Sequence, residues 1–68
     1  MSKLTPRQQD VLACIRRYLR AYGVAPTRKE IGRELGIDAV TVQQHVAALR
    51  GAGVICVTPK AWRGIALV

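Results

Sequence analysis

TRKEIGRELGIDAVTVQQHVAALR, residues 27–50, is the stretch whose reading decides the fold. Thr27-Arg28-Lys29-Glu30 is a T-x-x-E capping box. In such a box a hydroxyl accepts from a backbone N–H at the start of a helix, and a carboxylate three residues on reaches back to the cap. The helix it starts has Ile31 and Leu35 as its inward residues. Gly36 ends that helix in a left-handed conformation, which glycine enters without a Cβ penalty. Ile37 plugs the core and Asp38 caps a second helix, in which Val42, Val46 and Leu49 recur at helical spacing. A helix of roughly eight residues, a turn of about three with a glycine, and a second amphipathic helix predict a helix-turn-helix.

The second helix, residues 38–50, has another face. Ala39, Val40, Thr41, Gln43 and Gln44 are small or polar and uncharged, in a chain that carries a net charge of +7. A solvated helix face is normally filled with Lys and Glu. Thr and Gln instead suit the major-groove edges of base pairs, which offer donors, acceptors and thymine methyls. These five are the expected base-reading residues. Gln bonds adenine bidentately, and Val, Ala and the Thr methyl pack on thymine methyls, so an A·T-containing half-site is expected. The competing reading is that the two glutamines are merely solvated. Arg28 and Lys29 stand beside the free N–H groups of the preceding helix, an arrangement for holding a phosphate. With Thr27, His45, Arg50, Lys60 and Arg63 they form the expected backbone and wing contacts, Arg7 being a weaker candidate. His45 lies between the polar face and the apolar stripe, where a half-buried structural role is equally available. Arg16, Arg17 and Arg20 add to the field without an expected contact.

Upstream, Thr5 caps a first helix, Pro6 takes its first position and Gln8 completes a capping box. Val11, Leu12, Ile15, Leu19 and Tyr22 form its buried stripe, and Gly23 stops it. Downstream, Gly51-Ala52-Gly53 ends the third helix. Val54–Thr58 and Trp62–Val68 read as strands around a turn at Pro59-Lys60-Ala61, with Lys60 and Arg63 at or beside the tip. Trp62 either packs the hairpin onto the helices or anchors a second copy. The expected fold is α+β, mainly α: three helices and a C-terminal two-stranded β-hairpin, one winged helix-turn-helix domain over residues 1–68.

Composition bounds the rest. Eleven Lys and Arg face four Asp and Glu in 68 residues, and the sequence pI is about 10.5, which favours a polyanionic partner. A chain this short buries only about 60% of its unfolded surface, leaving no room for a deep catalytic cleft beside a core. There is no triad, metal cluster, Gly-rich phosphate loop or carboxylate pair, so no enzyme activity, cofactor or small-molecule ligand is expected. One His and two distant cysteines, Cys14 and Cys56, do not make a zinc site and read as reduced thiols used as small hydrophobes. No apolar run approaches the ~20 residues of a membrane span, and no export signal is seen, so a cytoplasmic regulator of bacterial, phage or plasmid type is expected.

Motifs along the whole chain carry a resemblance. L-T-x-R-Q-Q at 4–9, G-x-x-P-T-R-x-E-I at 23–31, L-G at 35–36, H-x-x-A-L at 45–49, G-V-I at 53–55 and R-G-I-x-L at 63–67 resemble the DNA-binding domain of the LexA repressor family. The resemblance implies a winged helix that binds promoter DNA and blocks transcription. It implies that the third helix enters the major groove, that the wing touches the neighbouring backbone or minor groove, and that two copies bind a palindrome. Two departures stand out. The family's self-cleaving Ser/Lys peptidase domain is absent and the one serine is Ser2, so the chain is either an excised N-terminal domain or a stand-alone regulator. The turn into the third helix is one residue shorter, and Gln43-Gln44 takes the place of a Glu-Glu pair, so a different operator is expected.

Double-stranded DNA, read as a palindromic operator by a homodimer, is thus the expected partner. The alternative is a winged-helix protein-interaction module, an anti-repressor or replication accessory factor. Such a helix would more often show exposed apolar anchors.

Overall fold

Thr5, Thr27 and Asp38 each start a helix. In the computed structural model, which describes residues 4–58 and 63–68, these are α1 (Pro6–Tyr22), α2 (Arg28–Leu35) and α3 (Ala39–Gly51). The Thr5 hydroxyl accepts from the Gln8 N–H at 3.2 Å, and the Gln8 carboxamide oxygen accepts from the Thr5 N–H at 3.1 Å. Thr27 and Glu30 repeat the box at 3.2 and 2.8 Å, and Asp38 accepts from the Thr41 N–H at 2.7 Å. Each cap satisfies donors that a helix start leaves unpaired, and is worth about 1 kcal/mol. Gly23 (φ 73°) and Gly36 (φ 68°) end α1 and α2 in the left-handed region, as their positions in the sequence predict.

The three helices pack around one core. Val11, Leu12, Cys14 and Ile15 come from α1, Ile31 from α2, and Val42, Val46 and Leu49 from α3. Ala25, Ile55 and Ile65 complete it, while Leu19 and Leu35 lie half-buried at its margin. Tyr22 departs from the expected stripe: it is 69% exposed. It is the last residue of α1, beyond the reach of the core, and its ring leans on Tyr18 with centroids 5.2 Å apart.

Gly32 sets how closely the turn folds back on α2. It is buried in mid-helix, and its carbonyl accepts from the Gly36 N–H and, at 3.0 Å, from the Ile37 N–H. A Cβ at this position would lie 2.7 Å from the Ile37 carbonyl oxygen and 3.5 Å from the Val42 side chain. Only a residue without a side chain lets the turn and α3 come this near.

After α3 the chain forms an antiparallel pair, β1 (Ile55–Val57) and β2 (Ile65–Leu67), with Ile55 opposite Leu67, Cys56 opposite Ala66 and Val57 opposite Ile65. Ladder-like bonds continue past both strands, from the Thr58 N–H to the Gly64 carbonyl at 2.8 Å and from the Val68 N–H to the Val54 carbonyl at 3.2 Å. Alternation points Ile55 and Ile65 inward and Cys56 and Ala66 outward. Cys14 is buried as expected, but Cys56 is exposed and does not fill the core. The expected turn at Pro59-Lys60-Ala61, and Trp62, lie outside the described residues.

Candidate nucleic-acid interface

α3 shows solvent a face with no acidic residue. Ala39, Val40, Gln43, Gln44, Ala47 and Arg50 are exposed, and Thr41 and His45 are half-exposed. Val40, Gln43, Gln44 and Ala47 follow the i, i+3, i+4, i+7 spacing of one helix stripe, opposite the buried Val42, Val46 and Leu49. Ala47 lies outside the expected base-reading set, although its spacing from Gln43 and Gln44 places it on the same stripe. Val40, 67% exposed, is the one large apolar side chain on this face. Thr41 also holds the α3 cap. Its hydroxyl and its backbone N–H keep the Asp38 carboxyl below the usual carboxylate range.

The N-terminus of α2 meets this face. The Arg28 Nε–H donates to the Gln43 side-chain oxygen, joining two helices across 15 residues of sequence. Lys29 is exposed beside it, while the Thr27 hydroxyl is engaged in the cap. Arg50 is exposed in the last turn of α3. The structure therefore brings Arg28 and Lys29 to the polar stripe. Lys60 lies outside the described residues.

Arg63 is placed differently from a simple surface cation. Its guanidinium donates to both Glu30 carboxylate oxygens, at 2.6 and 3.3 Å, and to the Ala25 carbonyl at 3.0 Å. The pair is about three-quarters buried, with 29% and 26% of the two side chains exposed. These bonds, with the Thr27 N–H, push the Glu30 pKa down to about 2, and the Glu30 carboxylate raises that of Arg63. One carboxylate thus caps α2 and ties the loop end of the hairpin to it. Neither neighbour in sequence announces this contact, and the T-x-x-E motif alone accounts for Glu30.

The remaining acids are used away from α3. Asp10 pairs with Arg7 at 3.4 Å, and Glu34 pairs with Arg17. Arg7 also donates to the Leu35 carbonyl at 3.0 Å, at the C-terminal end of α2, opposite the end that carries Arg28. With Glu30 on Arg63 and Asp38 in its cap, the four acids of the chain are accounted for. Among the described residues, Arg28, Lys29 and Arg50 make no ion pair, so the flank of the α3 face keeps its positive charge. An open cavity of about 300 Å³ lies elsewhere, lined by Tyr18, Tyr22, Val24, Glu30 and Arg63 and by no residue of α3. No cluster of His, Cys, Asp and Glu among the described residues could hold a metal ion, and no helix is long and apolar enough to cross a membrane.

A helix-turn-helix with an uncharged polar outer face, cations at its flank and a following hairpin defines a winged-helix DNA-binding domain. Comparison with known proteins gives the same class and narrows it. Residues 1–64 match the family model of the LexA DNA binding domain, and the chain belongs to that family. It is 47% identical over 66 residues to the LexA repressor of Pseudomonas aeruginosa and 48% identical over 66 residues to LexA repressor 1 of Pseudomonas putida. It is 45% identical over 69 residues to the LexA repressor of Haemophilus influenzae (strain PittGG). These matches cover 96–100% of this chain but 32–33% of the relatives, so the chain spans about a third of their length. The function that family description gives is DNA binding.

Proposed function

We propose that α3 lies in the major groove of an operator, with Ala39, Val40, Thr41, Gln43 and Gln44 against base edges and occupancy of the site repressing transcription. The observation that carries this is the uncharged α3 stripe flanked by cations without carboxylate partners. Base edges reward amide and methyl groups, and the phosphates on either side reward the cations. Arg28, Lys29 and Arg50 hold phosphates beside the N-terminus of α2 and the end of α3. His45, at the edge of the stripe, and the capping Thr27 complete that margin. Lys60 and the hairpin take the adjoining backbone or minor groove, with Arg63 setting the hairpin's position through Glu30.

One module of this size covers about 600–1,000 Å² of protein surface on DNA, too little for high specificity. Two copies on a palindromic operator supply the rest.

A salt titration of binding, followed by fluorescence anisotropy on labelled duplexes, tests the reading. If Arg28, Lys29, Arg50 and Lys60 neutralise about four phosphates per copy, log affinity falls against log salt with a slope of about −3 to −4 for each protomer. A slope near zero overturns it. So does equal affinity of the Gln44→Ala variant and its parent for a selected duplex and a scrambled one.

A further inference from the structure

Resting on the base-reading role proposed for α3, we infer that Arg28 biases Gln43 toward donating, so that Gln43 favours guanine over adenine. A free glutamine carboxamide has one acceptor end and one donor end, and adenine is read by using both. In this structure the acceptor end is engaged: the Arg28 Nε–H points at the Gln43 Oε1. The orientation follows from chemistry. A guanidinium has five N–H donors and no acceptor, so the atom facing it must be the amide oxygen. What is freest for a base is the Gln43 NH2 group with its two hydrogens; the oxygen keeps one lone pair, weakened as an acceptor by the bond it already takes from the guanidinium.

The four bases respond differently to a reader that mainly donates. Guanine presents two adjacent acceptors in the major groove, O6 and N7, and thymine presents one, O4. Adenine offers N7 beside its own N6 amino group, which meets only an oxygen already shared with Arg28. Cytosine offers only a donor. The expected order is guanine, then thymine, then adenine, then cytosine. Gln44, one position on, is exposed and has no hydrogen-bond partner among the described residues, so it keeps both ends and the adenine preference. Two neighbouring glutamines on one helix thereby read different bases, and the difference is written on α2.

Arg28 is a positioning residue in this scheme, acting on the base through Gln43. Only its Nε–H is used; its two terminal nitrogens are left for a phosphate. Loss of a phosphate contact alone weakens all sequences equally. Loss of the orienting bond changes the preference at one position.

Selection from a library of randomised duplexes, with the parent, Arg28→Met, Gln43→Ala and Gln44→Ala chains, tests the inference, thermal melting confirming that each is folded. The parent is expected to enrich guanine at one half-site position, by roughly tenfold over adenine. Gln43→Ala loses that preference, and Arg28→Met shifts the same position toward adenine while the position read by Gln44 keeps its base. Enrichment of adenine at the Gln43 position by the parent overturns the inference. So does an Arg28→Met pool with unchanged preferences and uniformly weaker binding. A parent pool with no enrichment at any position overturns the base-reading role itself, a separate failure from either of these.

Discussion

Replacing Gly32 with Ala is expected to destabilise the domain although alanine is the better helix former. The added Cβ would stand 2.7 Å from the Ile37 carbonyl oxygen. That neighbour is backbone and cannot rotate aside, and the same turn carries the 3.0 Å bond from the Ile37 N–H to the Gly32 carbonyl. Overfilling a packed site costs about 1–3 kcal/mol. The gain in helix propensity from Gly to Ala returns up to about 1 kcal/mol. The net is about 1–2 kcal/mol of lost stability, and at 4–8 °C per kcal/mol for a domain of this size the melting point falls by roughly 5–15 °C. Gly51→Ala is the matched control. A Cβ there meets nothing within 4 Å, and the residue lies in α3 with no positive φ. Its melting point is expected to stay level or rise slightly. Thermal melts by circular dichroism, with urea melts to extract free energies, decide the matter. If Gly32→Ala melts at or above the parent, the close approach of α2 to the turn is not what selects glycine at position 32.

Acid should weaken the fold in a defined window. The folded-state pKa of Glu30 is about 2, below the ordinary carboxylate value of 4.5. Its contribution is therefore complete above about pH 4.5 and is lost as pH falls through about 2. Asp38 acts in the same direction. In melts between pH 6 and pH 2, Glu30→Gln should start lower and lose less than the parent. Curves of identical shape would show that the Arg63 contact is not formed in solution. The two thiols should separate cleanly under native conditions: a maleimide labels the exposed Cys56 and leaves Cys14, which is buried and whose pKa burial pushes up, until denaturant is added. Equal labelling rates would contradict the placement of Cys14 in the core.

What could be read from the sequence is what is local. The caps at Thr5, Thr27 and Asp38 and the left-handed glycines at 23 and 36 each depend on residues within one helical turn, and they recur in the structure where the motifs put them. The stripe Val42, Val46, Leu49 was legible because helical periodicity fixes a face. Extending the α1 stripe to Tyr22 failed, since periodicity says which side of a helix faces inward but not how far the core extends along it. The Arg63–Glu30 contact spans 33 residues and the Arg28–Gln43 contact 15. Pairings of that kind are set by how the helices and hairpin pack, and nothing in the local pattern of either partner reveals them. For the same reason Gly32 reads as an unremarkable residue until Ile37 is seen folding back on it.

The carboxylate of Glu30 has a consequence for how the domain meets a duplex. By gripping the start of α2 with one oxygen and, through Arg63, the loop end of the hairpin with both, it makes the two parts proposed to straddle a phosphate ridge into a single rigid jig. Their mutual pitch is settled during folding, so little ordering remains to oppose association when the DNA arrives.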